Sequence, residues 1–202
     1  MKNLIIYTVI ILFFNSCGQN SNAISKDESK QIASNTDIKF TSKDVFEQNK
    51  LKECYQTRLK VYLNDSDTSG TNIRKTPNGG IITKLIVDDI NHDYLIIVTA
   101  SKNGWFKIES PIEGINSDIE IPNGEGWIHG SVIAVDTRNY ANEQLNLLDK
   151  PKKGKVIKVI KKEAVGLRLK DFCGEWVKVE CNGVVGWIES KWLCGNPLTN
   201  CS

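Results

Sequence analysis

Six cysteines, two histidines and five tryptophans are the residues of this 202-residue chain best able to do chemistry, and their spacing favours cross-linking and binding over catalysis. A thiol nucleophile needs an imidazole to take its proton. Neither His92 nor His129 follows a cysteine in a motif of that kind, and His129, after Gly126-Trp127-Ile128, reads as a surface residue at a strand end. The cysteines lack the paired C-x-x-C spacing of a zinc site. Asp65, Asp67, Asp88 and Asp89 lack a helix-flanked calcium loop and read as turn residues. No metal or cofactor is implied. Cys194 and Cys201 bracket the turn-prone Gly195-Asn196-Pro197 and are the first choice of disulfide, closing a loop that stabilises by about 2.5 kcal/mol. A straight strand between Cys173 and Cys181 would hold them about 25 Å apart, beyond the roughly 7 Å a bridge allows. Cys54 is therefore a candidate partner for one of them. Flat aromatic side chains with polar neighbours suit sugars and short peptides. The candidates are Trp105 and Trp176, with Tyr62 and Tyr94 nearby. Trp127 and Trp187 read as core, and Trp192, just before Leu193-Cys194, as an anchor for the C-terminal tail.

Cys17 has a different setting. It follows Met1-Lys2-Asn3, the apolar run Leu4 to Phe14, and Asn15-Ser16. Such a run is too short to span a bilayer, which takes roughly 20 apolar residues, and reads as a secretory leader. The stretch before Cys17 resembles a bacterial lipobox, in the relaxed form of Bacteroidetes lipoproteins, since Phe14 and Asn15 depart from the common pattern. The resemblance implies cleavage after Ser16, acylation of Cys17 and a membrane partnership through that lipid anchor. Gly18-Gln19-Asn20 lacks an acidic cluster of the kind that resembles a surface-export tag, which points to the outer membrane with the protein facing the periplasm. An ordinary secretory signal, or a core helix with a chance cysteine, is the alternative.

Charge is nearly balanced, 26 cations against 24 anions for a formal +2, so no nucleic-acid partner is implied. Lys152-Lys153 and Lys161-Lys162 read as solvated strand ends or loops.

Behind these residues stand two kinds of segment. Residues 18–36 are rich in Ser, Asn, Lys and Asp and read as a flexible tether. Over 42–56 the positions Val45, Phe46, Leu51 and Tyr55 suit one irregular helix. From Arg58 onward, short alternating runs broken by Gly, Pro, Asn and Asp predict an all-β chain with tight turns. The expected strands are Arg58 to Leu63, Ile81 to Val87, Tyr94 to Ala100 and Trp105 to Glu109. Lys155 to Lys161, Leu167 to Lys170, Trp176 to Cys181 and Val184 to Ile188 follow.

The two halves of this β region match in order. The first gives Asn72-Ile73-Arg74 with Pro77, then Trp105-Phe106-Lys107-Ile108-Glu109, then Gly126-Trp127-Ile128. The second gives Asn146-Leu147-Leu148 with Pro151, then Trp176-Val177-Lys178-Val179-Glu180, then Gly186-Trp187-Ile188. Residues around Glu113 to Glu125 form an insertion in the first half. In each half alternation turns Phe106 and Ile108, or Val177 and Val179, inward and the Trp and Lys outward. The glycine before Trp127 and Trp187 suits close approach at a corner.

Asn-x-Arg with a following Pro, Trp-x-Lys-Val and Gly-Trp-Ile together resemble the bacterial SH3-like domain, over roughly Lys60 to Val135 and Gln144 to Leu193. Leu148 stands where the pattern has arginine, and Ile108 where it has valine. The resemblance implies two tandem small SH3-like barrels after the signal and tether: 1–16 signal, 17–57 lipidated Cys and tether, 58–140 first domain, 141–202 second domain. Domains of this type often accompany a cysteine peptidase that cuts cell-wall peptides. This chain carries no such Cys and His motif, and little sequence follows the second copy, so the expectation is a non-enzyme. The ligand class implied by the resemblance is cell-wall peptide or glycan, so the partner is peptidoglycan. The rival is a scaffold or accessory subunit that recruits another envelope protein.

Overall fold

The computed structural model describes residues 58–87, 94–199 and 201, all within one compact unit, Phe40–Ser202. Cys17, Cys54, Asp88, Asp89, His92, the tether and the helix expected over 42–56 lie outside the described residues. The described residues are all-β, as the alternation predicts, and they include no helix long and apolar enough to cross a membrane.

The strands are β1 (Leu59–Leu63), β2 (Thr71–Arg74), β3 (Ile81–Leu85), β4 (Tyr94–Lys102), β5 (Trp105–Gly114), β6 (Glu125–His129) and β7 (Ile133–Thr137). They continue as β8 (Leu145–Leu148), β9 (Val156–Ile160), β10 (Leu167–Cys173), β11 (Trp176–Cys181), β12 (Val184–Glu189) and β13 (Leu193–Cys194). Hydrogen bonding links them in the order β3-β2-β6-β5-β4-β1-β7-β10-β11-β12-β8-β9, with β13 on β7. Read inward from either end, the order is the same: β3-β2-β6-β5-β4-β1 from one side and β9-β8-β12-β11-β10-β7 from the other.

Register repeats as well. Arg74 pairs with Trp127 at the β2–β6 contact, and Leu148 with Trp187 at the matching β8–β12 contact. A Cβ on Gly126 would lie 2.5 Å from Ile73 and 3.3 Å from Ile82. On Gly186 it would lie 3.0 Å from Leu147 and 2.9 Å from Ile157. Only a residue without a side chain lets the neighbouring strands close over these points.

Strand β7 belongs to both series. It pairs with β1 through Tyr62↔Ala134 and Leu63↔Ile133, and with β10 through Leu167↔Val135 and Arg168↔Ala134. β13 adds Leu193↔Thr137 and Cys194↔Asp136. The boundary read at 140/141 thus falls just after a strand that bonds on both sides. The core follows suit: buried side chains of both halves form one cluster, and the Phe106 and Phe172 rings stack across it at 6.0 Å. Gly130 lies where a Cβ would meet both Phe106 at 2.6 Å and the Leu169 carbonyl at 2.3 Å.

Tyr62 and Tyr94 are buried, so neither belongs to an exposed aromatic face. Alternation turns Val61 and Leu63 into the first-half core, and it would leave Tyr62 facing solvent if the halves were separate. Instead the Tyr62 hydroxyl donates to Asp136 Oδ1 at 2.5 Å, and the Gly166 N–H donates to the same oxygen at 2.8 Å. Burial first, then the hydrogen bond and charge of Asp136, hold the Tyr62 phenol well above its ordinary range. The Tyr94 hydroxyl donates to the Ile86 carbonyl at 2.7 Å and tethers the chain beyond β3.

The insertion in the first half extends the sheet. β5 runs on to Gly114, Ile112 and Ile119 exchange backbone hydrogen bonds of 3.0 and 2.9 Å, and Ile112 and Ile121 are buried. Cys194 and Cys201 are joined by a disulfide. Cys173 is also disulfide-bonded, whereas Cys181 is a free, buried thiol, so these two are not partners.

Candidate functional site

The outward face of β5 and β6 is set by simple parity. Phe106, Ile108 and Ile128 are buried, so Trp105, Lys107, Trp127 and His129 project from the other face. Register brings Trp105 opposite His129 and Lys107 opposite Trp127. The Trp105 and His129 rings meet edge to face at 5.1 Å, and the Arg74 guanidinium lies 5.9 Å from the Trp105 ring. Arg74 is held there by donating to the Gly79 carbonyl at 2.7 Å. Lys107 bridges to Glu125 at 2.6 Å. His129 Nδ1 sits 2.7 Å from the Ser131 hydroxyl, so the imidazole is committed to a local turn and a ring contact. Trp105 is positioned by a tight β4–β5 turn, in which Asn103 and Gly104 take φ of 52° and 80°.

The second half rebuilds this face from β11 and β12. Lys178 stands opposite Trp187, with its ammonium 5.8 Å from the indole centroid, and Trp176 stands opposite Glu189. Leu148 takes the place of Arg74, and Glu189 the place of His129. A shallow cleft of about 260 Å³ opens here, lined by Trp176 and Trp192 with Gln144, Asn146 and Glu189 among its polar groups. Two indoles with amides and a carboxylate can stack on an apolar sugar or peptide surface while hydrogen-bonding its hydroxyls or amides. Lys191 lies 5.8 Å from the Trp192 ring and pairs with Glu189, and the Trp192 carbonyl accepts from Arg138 N–H at 2.9 Å. Trp192 therefore contributes to the cleft as well as fixing the tail.

The structure puts Trp105 and Trp176 on the outward faces named from sequence and takes Tyr62 and Tyr94 off them. It also moves two residues the other way. Trp127 and Trp187, expected in the core, are only partly buried and share the outer face with the lysines. The signal was present in the alternation: Ile128 and Ile188 point inward, so the glycines two positions earlier do too, and the intervening tryptophans cannot. A larger groove, about 430 Å³, is lined by residues 158–167 and 180–182 and carries no aromatic side chain. Among the described residues no cluster of His, Cys, Asp and Glu is arranged to hold a metal ion.

A family model described as Bacterial SH3 domain matches residues 141–195, and that domain spans β8 to β13. No curated protein sequence matches the chain. Among solved structures, NlpC1 from Trichomonas vaginalis is similar at 16% identity and a TM-score of 0.28, covering 69% of this chain and 46% of that one. NlpC2 from the same organism is similar at 17% identity and a TM-score of 0.28, covering 69% and 48%. This chain thus spans less than half the length of either protein.

Proposed function

We propose that this chain is a non-enzymatic envelope protein whose two outer aromatic faces bind cell-wall peptide or glycan. The carrying observation is the repeated ladder of Trp105, Lys107 and Trp127 in one half and Trp176, Lys178 and Trp187 in the other, matched in register. In this reading residues 58–140 are a second SH3-like unit beside the bacterial SH3 domain at 141–195. The ligand class follows from that domain type. Cys17 carries the lipid that holds the protein at the outer membrane, on the periplasmic side. The second half is the stronger ligand site, because its cleft joins Trp176 to Trp192 and polar side chains, while the first-half face is partly filled by Arg74 and His129.

The test is a titration of the folded chain from residue 18 with soluble peptidoglycan fragments, followed through its five indole N–H resonances. Shifts at Trp176 and Trp192, then at Trp105 and Trp127, are expected. Saturable binding that moves none of them would overturn the assignment of the face.

A further inference from the structure

The near-neutral total charge conceals a local excess. Residues 150–162 contain seven lysines and no acidic side chain. Lys150, Lys152, Lys153, Lys155, Lys161 and Lys162 are exposed and make no ion pair among the described residues. Between them runs β9, a terminal strand of the sheet. Its Val156, Ile157 and Val159 are 51, 44 and 39% exposed, and Val165 on the following loop is 73% exposed.

The other half supplies an internal control. Strand pairing aligns β3 with β9 position by position: Ile81 with Val156, Ile82 with Ile157, Thr83 with Lys158, Lys84 with Val159, and Leu85 with Ile160. The first-half turn reads Pro77-Asn78-Gly79-Gly80, the second Pro151-Lys152-Lys153-Gly154-Lys155. A hairpin one residue shorter thus forms in the first half with a single lysine, Lys75, in its connection. Lys152 even occupies the left-handed region, φ 64°, which Asn78 fills at φ 58° in the other half. Asparagine tolerates that conformation better than lysine. At the edge position where a charged side chain discourages sheet-to-sheet pairing, Lys84 is replaced by Val159. The second half thus gives up local comfort and edge protection: it keeps the exposed aliphatic position that Ile81 also offers, adds Val159 to it, and brackets the strip with cations.

We infer that the β8–β9 hairpin and the loop after it dock on an anionic lipid bilayer. Aliphatic side chains enter the headgroup region while the flanking lysines stay at the charged surface on their flexible stems. A diffuse field of unpaired lysines, with no buried donor to fix one carboxylate, matches a planar anionic surface better than a discrete acidic ligand. The inference depends neither on wall binding nor on acylation of Cys17.

The experiment uses the chain from residue 18, which retains every described residue, with vesicles of phosphatidylglycerol and phosphatidylethanolamine against phosphatidylcholine alone. Wild type should sediment with the anionic vesicles and be released by salt. The triple variant Lys152→Asn, Lys153→Gln, Lys155→Gln should lose about tenfold to a hundredfold in partition while its melting temperature holds or rises. A control that removes the same charge elsewhere, Lys75→Gln, Lys84→Gln, Lys102→Gln, should stay within about threefold of wild type, within the scatter of context-dependent charge effects. Val165→Ser should weaken binding without changing its salt dependence. Equal losses in triple variant and control would overturn the inference, as would binding indifferent to lipid charge. Preferential capture of a soluble alternating Glu-Val peptide, with vesicles left unbound, would overturn it in favour of a protein partner.

Discussion

Tyr62→Phe tests the joint between the two halves. The variant keeps the ring and the volume and removes only the hydroxyl that donates to Asp136 Oδ1 at 2.5 Å. A hydrogen bond to a charged acceptor contributes about 1.5–3 kcal/mol. Asp136 retains the Gly166 N–H at 2.8 Å, so a loss near the lower end, about 2 kcal/mol, is expected at pH 8. The pH dependence carries the sharper prediction. The folded phenol titrates above its unfolded value of 10.0, so its stabilising contribution is complete below that pH and drains away as pH rises towards the folded value. With the unfolded state ionising alone, wild type loses about 1.4 kcal/mol relative to the variant by pH 11. Urea unfolding followed by tryptophan fluorescence at pH 8, 10 and 11 reads the gap directly. A variant within about 0.5 kcal/mol of wild type at pH 8 would refute the reasoning, and so would a gap that stays constant to pH 11.

Lys152→Asn should stabilise by about 0.5–1 kcal/mol, because the residue sits at φ 64°, where Asn78 sits at φ 58° in the other half; thermal unfolding checks it. A fragment of residues 141–202 lacks β7, to which β10 and β13 both bond, and should show collapsed amide dispersion by NMR where the chain from residue 18 is well dispersed. Replacing Cys194 and Cys201 together by alanine should cost about 2.5 kcal/mol in urea unfolding through loop entropy alone.

The strands were legible because alternation is local: Phe106 and Ile108, then Val177 and Val179, declare their inward face within five residues. The outer face was legible from the same parity for Trp105 and Trp176. At Gly126-Trp127 and Gly186-Trp187 a large aromatic beside a glycine reads as core, against the parity of the strand. In fact the missing side chain is the inward feature, because Ile73, Ile82, Leu147 and Ile157 close over the glycines. Tyr62 escapes local parity for a different reason. Its own strand turns it away from the first-half core, and only the pairing of β1 with β7, some 70 residues later, covers it. A strand shared between halves leaves no local trace, since β7 carries the ordinary pattern of one buried strand. The exposure of Val156, Ile157 and Val159 goes with β9 being the last strand of the sheet, which no local pattern announces.

Co-sedimentation with purified, insoluble peptidoglycan tests the central claim most directly, comparing the chain from residue 18 with its double variant Trp105→Ala, Trp176→Ala. The account predicts that the wild-type protein pellets with the wall and that the variant, still folded by circular dichroism, stays in the supernatant. Wild-type protein that remains in solution, or a folded variant that pellets equally well, would contradict it.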